Sequence, residues 1–207
     1  MKSGFWALRL VFIALTGTLL TGCLSRPATV STRHFVLTPI STNESASAAT
    51  EQLSVGIGFV KMPSYLLRNS LAVRNGANEI EYLEDARWAE RLDQCFQRTL
   101  AANLSRLLPS DSVYLSDWGR DQVRVRVLIN VEQFDVDTGG QGTLVAQWRL
   151  SAPETDVPLK SGHARVVWTG ASPLGNPEVI ATTLSNLAAE FSRDLAQSIH
   201  KFPASIP

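Results

Sequence analysis

Apolar and polar residues alternate with a period of two along several stretches of this chain, and that period predicts β-strands. The longest such run covers residues 123–131, where valine and isoleucine occupy every second position. Another covers residues 53–59, with Phe59 among the residues expected on its buried face. Shorter strands are predicted at residues 34–37, 71–73, 80–82, 113–115, 144–150 and 163–168.

Two further stretches carry apolar residues at spacings of three and four, the period of an amphipathic helix. Asp85 is expected to cap the first helix, which begins at Ala86 and is stopped by Pro109. Residues 176–178 (NPE) start the second helix, because they supply an N-cap, a first-turn proline and an acid, and Pro203 ends it. The apolar stripes are Trp88, Leu92, Cys95, Phe96, Leu100, Leu104 and Leu107 in the first, and Ile180, Leu184, Leu187, Ala188, Phe191, Leu195 and Ile199 in the second. The order of elements predicts a single α+β domain, with a mixed β-sheet packed against two long amphipathic helices.

Two glycine-containing turns are predicted between strands. Asn75-Gly76 lies between two strand-like runs, which is a strong hairpin signal. The glycines of residues 139–142 could instead cradle a phosphate, but a strand follows them rather than a helix, so a hairpin turn is favoured. Residues 151–161 contain two prolines and are expected to form a loop.

The first 22 residues have the pattern of a secretory signal peptide, with basic Lys2 and Arg9, a short apolar run and small residues at the end. The ending Leu20-Thr21-Gly22-Cys23 resembles the bacterial lipobox, in which fatty acyl chains such as palmitate are attached to the cysteine and the chain is cut before it. A plain signal peptide followed by a chance cysteine is the alternative. We expect Cys23 to be the site of lipidation.

Several acyl chains on one residue would hold the protein stably on a membrane surface. Residues 23–33 are then expected to form a flexible tether of roughly 35 Å when extended. The folded domain is expected at residues 34–203. Leu24 follows the lipidated cysteine, and by resemblance to other bacterial lipoproteins this suggests the outer membrane, on its periplasmic side.

Composition narrows the possible functions. The 207 residues include 19 basic and 19 acidic side chains, and loss of Lys2 and Arg9 with the leader leaves a net charge of −2. This balance does not favour nucleic acid as a partner. Once Cys23 is lipidated, Cys95 has no disulfide partner; a reactive thiol there is possible, but its place on an apolar stripe favours a buried packing residue. The three histidines are scattered without the spacing of metal ligands, and we expect neither a cofactor nor a metal.

Three classes of function are compatible with an anchored domain of this kind. An envelope hydrolase would need a nucleophile with a positioned base, and the chain has no Gly-x-Ser-x-Gly motif, so an enzyme is not expected. A lipid carrier with its own cavity stays open, because cavity and core use the same apolar residues. A structural or docking subunit is the third class.

Short motifs in a fixed order favour the docking subunit, with the lipid carrier as the alternative and the hydrolase after it. They are residues 33–37 (RHFVL), 60–66 (VKMPSYL), 87–92 (RWAERL), 100–105 (LAANLS), 131–135 (VEQFD) and 146–148 (AQW). With the lipobox, this set makes the chain similar over nearly its full mature length to the ABC-type transport auxiliary lipoproteins, of which PqiC is the best-known type. Arg91 departs from the family pattern, which often has proline at that position.

The resemblance implies a role in lipid transport between membranes. Such a lipoprotein works with an MCE-domain protein similar to PqiB, which bridges the envelope, and with an inner-membrane component. Some members form homo-oligomeric rings that receive the end of the MCE tunnel. For this chain the resemblance therefore implies a docking subunit that supports envelope integrity.

Overall fold

The computed structural model of the chain describes residues 31–41, 54–108, 113–115, 122–153 and 157–200. Cys23, the leader and most of the predicted tether lie outside these ranges. All the helices and strands described below belong to the unit Thr32–Pro207.

Eight strands form one mixed sheet. They are β1 Arg33–Phe35, β2 Val55–Lys61, β3 Ser70–Asn75, β4 Glu79–Trp88, β5 Val113–Leu115, β6 Val125–Asp137, β7 Gln141–Ser151 and β8 Pro158–Thr169. A short 3₁₀ helix, Ser64–Leu67, connects β2 to β3. The predicted α+β class is confirmed.

The long strand β6 organises the sheet. On one side it pairs with antiparallel β7, which pairs in turn with β8. On its other side β2 and β3 lie end to end, both parallel to β6: Val55 pairs with Val125, whereas Val73 pairs with Val136. Parallel β5 extends the sheet beyond β2, and β4 extends it beyond β3 before pairing with β1.

Two helices cover one face of this sheet. Helix α1 is Leu92–Leu107 and helix α2 is Glu178–His200. The start of α2 follows the predicted chemistry, since Asn176 Oδ1 accepts a hydrogen bond from Glu178 N at 3.2 Å. α1 and α2 are the α-helices of the described residues, and neither is long and apolar enough to cross a bilayer.

The centre of the core is aromatic. Phe96 of α1 contacts Phe134 of β6 edge-to-face, with ring centroids 5.1 Å apart, and lies 6.1 Å from Phe191 of α2. All three rings are fully buried. These rings pack together at the centre of the interface between the two helices and the sheet.

The predicted start of the first helix is wrong by six residues. β4 continues through Ala86 to Trp88, because this end of the strand pairs with parallel β1, and Phe35 lies opposite Trp88. Ala86 and Trp88 are buried on alternating positions, as a strand requires. The four-residue spacing from Trp88 to Leu92 resembles a helical stripe, although the helix begins only at Leu92.

The predicted orientation of Phe59 is also wrong. The register of β2 against β6 shifts between Ile57 and Val60, so that one extra residue lies on β2. This β-bulge reverses the alternation: Val60 points into the core and Phe59 is 82% exposed.

The predicted loop at residues 151–161 is shorter than expected. β8 begins at Pro158, and Lys160 pairs with Leu150 of β7. Pro158 is tolerated because it lies at the first position of an edge strand, where its missing N–H is not needed for the ladder.

Candidate interaction surface

The residues considered for chemistry do not converge on one site. His34 lies on β1, His163 on β8 and His200 at the end of α2. Among the described residues, no three His, Cys, Asp or Glu side chains form a group that could hold a metal ion.

Cys95 is fully buried on the side of α1 that faces the core. Its sulfur accepts a hydrogen bond from Leu37 N at 3.2 Å, which ties the segment after β1 to the helix. Burial raises the pKa of the Cys95 thiol above its ordinary value, and nearby Glu90 raises it further. A raised pKa disfavours the thiolate that a reactive cysteine requires.

Replacement of Cys95 by alanine is expected to lower the free energy of unfolding by about 1–2 kcal/mol, through a small cavity and the lost acceptor for Leu37 N. Urea denaturation measures this cost. A thiol reagent should modify Cys95 in the native protein only as fast as the protein unfolds. Rapid modification, or lost envelope function at unchanged stability, would contradict a packing role.

A buried carboxylate forms the most connected polar group of the described structure. The Asp135 side chain is 2% exposed and accepts four hydrogen bonds. Oδ1 accepts from Arg74 Nε at 3.0 Å and Gln133 Nε2 at 2.9 Å. Oδ2 accepts from Arg74 Nη2 at 2.6 Å and the Tyr65 hydroxyl at 2.9 Å. The pair of parallel bonds from one guanidinium is the strongest geometry available to a carboxylate.

The donors of this network keep their protons at neutral pH. Burial raises the pKa of Tyr65 well above its ordinary value, and the Asp135 carboxylate raises it further. The hydrogen bond to Asp135 also raises the pKa of Arg74, against the opposing effect of burial. A phenol and a guanidinium held protonated in this way serve as fixed donors rather than acid–base groups.

The network fixes the hairpin between β3 and β4. Arg74 Nη1 donates to Ala77 O in the turn at 3.2 Å, and the Tyr82 hydroxyl donates to Tyr65 O at 3.0 Å. Thr138 N donates to Arg74 O at 3.2 Å. The 3₁₀ helix, the β3–β4 hairpin and the end of β6 are thereby joined around Asp135.

Of the two predicted hairpin turns, the first is fully exposed and the second is partly covered, with Gly140 buried. Residues 75–79 are all exposed. The turn at Gly139-Gly140 instead contacts the segment after β8: Gly170 N donates to Gly140 O at 2.9 Å, and the Ser172 hydroxyl donates to Thr138 O at 2.8 Å.

The exposed hairpin carries a cluster of acids. Its exposed acidic side chains on β4 are Glu79, Glu81, Glu84 and Asp85. We call this element, residues 75–85, the acidic hairpin. Its turn is held by the hydrogen bond from Arg74 to Ala77 O.

A family model described as the ABC-type transport auxiliary lipoprotein component matches residues 35–196. The chain belongs to this family. It is a family of transport auxiliary lipoproteins and not a family of enzymes, and membership gives the protein a transport-associated role.

Solved structures agree with this auxiliary lipoprotein in fold. A Xanthomonas campestris protein of the DUF330 family superposes with a TM-score of 0.67 at 12% identity, over 81% of this chain and 94% of its own. The crystal structure of an uncharacterised protein superposes with a TM-score of 0.61 at 22% identity, over 82% of this chain and 99% of its own. No curated protein sequence matches this chain.

Two motifs of the auxiliary lipoprotein meet in the Asp135 network. Tyr65 comes from the motif at residues 60–66, and Gln133 and Asp135 come from the motif at residues 131–135. Sequence reasoning noticed both motifs but not their contact, and it missed Arg74 entirely. Arg74 belongs to no motif, and its one signal is its position just before the Asn75-Gly76 turn.

The departure at Arg91 has a structural explanation. Arg91 occupies the N-cap position of α1 with φ at −58°. That angle lies within the range that a proline ring imposes, so the arginine here and the proline that the resemblance implies can both precede the helix in the same backbone conformation.

Proposed function

We propose that this auxiliary lipoprotein is an outer-membrane subunit of an MCE-type intermembrane lipid transport system, facing the periplasm. The family match over residues 35–196 is the observation that carries the proposal. Its role is to dock the MCE-domain protein, which connects it to the inner-membrane component, and thereby to support envelope integrity.

The proposed domain organisation suits this role. Residues 1–22 are a leader that is removed, Cys23 carries the acyl chains, and residues 23–33 tether the domain at residues 34–203. The first strand of the described residues begins at Arg33, one residue before the proposed start of the domain. A tether of about ten residues spans roughly 35 Å, so the domain can meet a partner away from the bilayer.

The acidic hairpin is the proposed docking surface, either for the MCE-domain protein or for a second copy in a ring. Arg74 donates hydrogen bonds both to Ala77 O in the turn and to the buried Asp135, which holds the turn in one conformation. Little conformational entropy is therefore lost when a partner binds. Its acidic side chains would select a basic partner segment and speed encounter.

We expect Cys23→Ser to abolish lipidation and to leave an uncut precursor, because serine has no thiol to accept the diacylglyceryl group. Cells grown with an alkyne analogue of palmitate report lipidation as label on the protein. Cys95→Ser is the matched control, since it removes the other cysteine, and it should keep full label. Label on Cys23→Ser, or loss of label per molecule of protein in Cys95→Ser, would refute the anchor.

We expect the lipoprotein, extracted in mild detergent, to sediment as an oligomer over a wide range of concentration, alone or with its MCE partner. A specific interface buries at least about 1,000 Å², which should survive dilution. Reversing charge in the acidic hairpin with Glu81→Lys and Glu84→Lys should abolish assembly, whereas Asp194→Lys on α2 should not. A monomer throughout would rule out the ring, and unchanged assembly of the hairpin variant would exclude the hairpin as the interface.

A further inference from the structure

The β-bulge in β2 is held in place by a buried side chain. Gln97 of α1 donates its amide hydrogens to Ile57 O at 3.1 Å and to Gly58 O at 2.9 Å. Bulges re-aim side chains, and here the re-aimed residue is Phe59, which lies on the sheet face opposite the helices. Because the bulge has its own buried partner, the exposure of this phenylalanine is built into the fold.

The strand register surrounds Phe59 with a two-row array of side chains on the outer sheet face. Leu128, Arg149 and Ser161 lie opposite one another on β6, β7 and β8 beside Phe59, and Lys61, Asn130, Gln147 and His163 form the neighbouring row. These residues line an open groove of about 530 Å³. That volume lies within the range of small-molecule sites.

Two cations of the groove, Lys61 and Arg149, have no acidic partner in the part of the chain that the structure describes. No carboxylate among the described residues forms an ion pair with Lys61 or Arg149. Glu132 lies farther along β6, where its carboxylate accepts a hydrogen bond from Gln147 at 2.6 Å and lies 3.9 Å from His163, so it contacts the second row of the groove rather than Lys61 or Arg149. The two positive charges are therefore available to a ligand.

The apolar part of the groove lies between these cations. Arg149 of β7 lies opposite Leu128 of β6, whereas Lys61 of β2 lies opposite Asn130 in the neighbouring row. Leu128 and Asn130 therefore flank the diagonal between the two cations, and Phe59 lies beside Leu128. Lys61 and Arg149 are two strand spacings apart, about 10 Å, a gap that their two long side chains can close from both sides. A ligand that matches this arrangement has one anionic group and one hydrocarbon chain.

We propose that the groove binds a single anionic amphiphile, with a phosphate group between Lys61 and Arg149 and a hydrocarbon chain on Phe59 and Leu128. This inference rests on the proposed function and deepens it, because it makes the auxiliary lipoprotein a contact site for phospholipid as well as a docking subunit. The phosphate could come from a phospholipid headgroup or from free phosphate, and the experiment separates the two.

Photo-crosslinking in living cells tests the inference on the full-length, lipidated chain. Phe59→p-benzoylphenylalanine places a photoreactive group of similar shape in the groove, and Leu174→p-benzoylphenylalanine is the control at another exposed apolar residue. Cells are labelled with ³²P-phosphate and irradiated, and the purified protein is analysed for radioactivity and mass. Benzophenone inserts into C–H bonds, so free phosphate forms no adduct and a phospholipid does.

We expect a phospholipid adduct at position 59 and little at position 174. The adduct should fall about tenfold when Lys61→Gln and Arg149→Gln are added, because each cation contributes a charge-assisted hydrogen bond. Arg87→Gln on β4 should leave it unchanged. Both groove cations are on the surface, so thermal unfolding should show that the variants remain folded.

Three results would overturn the inference. Equal adducts at positions 59 and 174 would indicate general proximity to a membrane, and an adduct insensitive to the loss of both cations would exclude headgroup recognition. A crosslink to protein alone would make the groove a protein interface. If the Cys23 label and MCE association persist in that case, the proposed function stands without the lipid site; if they fail while the adduct forms, the lipid site stands without the transport assembly.

Discussion

Replacing Arg74 with methionine is expected to lower the free energy of unfolding by about 3–5 kcal/mol, one of the two largest effects in the molecule. The substitution keeps much of the side-chain volume but leaves the Asp135 carboxylate, 2% exposed, without its cation. Tyr65 and Gln133 would still donate to it. Hydrogen bonds from neutral donors do not offset the free-energy cost of burying the Asp135 charge. The native state therefore loses most of the stabilisation that the Arg74–Asp135 ion pair provides.

Urea denaturation followed by tryptophan fluorescence measures this loss. Arg87→Met on the neighbouring strand β4 is the matched control, and because Arg87 is exposed it should cost less than about 0.5 kcal/mol. The double variant Arg74→Met with Asp135→Asn should be more stable than Arg74→Met alone, because the uncompensated charge is removed. Equal stabilities of the Arg74 and Arg87 variants would show that the network contributes nothing.

Gly140→Ala is expected to destabilise the protein by about 3 kcal/mol or more, as the sum of backbone strain and overpacking. Gly140 has φ at +92°, which residues with a Cβ rarely adopt. A Cβ there would also lie 2.6 Å from Ala171 C and 2.7 Å from Gly170 O. These are backbone atoms held by the bond from Gly170 N to Gly140 O, so they cannot move aside without loss of that bond.

Gly76→Ala separates the two causes. Gly76 has a similar φ of +73°, but nothing lies within 4 Å of the position where a Cβ would be. Alanine there should cost only the backbone strain, about 1–2 kcal/mol. The two variants measured side by side by chemical denaturation should differ by about the overpacking cost. Equal costs at the two turns would show that the second turn is not packed as described.

The fold class could be predicted because apolar residues in the longest strands and helices recur at the regular spacing of a strand or a helix. Val125, Val127, Ile129 and Val131 are all buried, as alternation in this stretch predicts. Helix α2 begins where its capping residues indicate, since Asn176 does accept from Glu178 N. In both cases the local pattern and the tertiary environment act in the same direction.

The errors arose where pairing across the sheet overrides the local pattern. Trp88 lies four residues before Leu92 and fits a helical pattern, yet it belongs to strand β4 because it pairs with Phe35 of β1. Phe59 fits the alternation of β2, yet one extra residue opposite β6 reverses it. The one local signal of the bulge is Gly58 inside the strand pattern, and its partner Gln97 lies on a helix whose sequence is ordinary for an amphipathic helix.

The candidate site was hidden for a similar reason. Arg74 and Asp135 are 61 residues apart and meet only because β3 and β6 run parallel in one register. Tyr65 and Asp135 could be noted as parts of motifs, but no spacing in the sequence connects them. The groove cations are likewise brought together by the registers of β2 and β7 against β6.

The position of β6 in the chain has a consequence for biosynthesis. β2 and β3 are made well before β6, yet both depend on it as a sheet partner. A ribosome releases the N-terminal half first, so each nascent molecule spends time with strand edges that have nothing to pair with, and such edges promote association between chains. Because parallel strands distant in sequence also pair slowly, this interval is the stage at which a holding chaperone would protect the protein most.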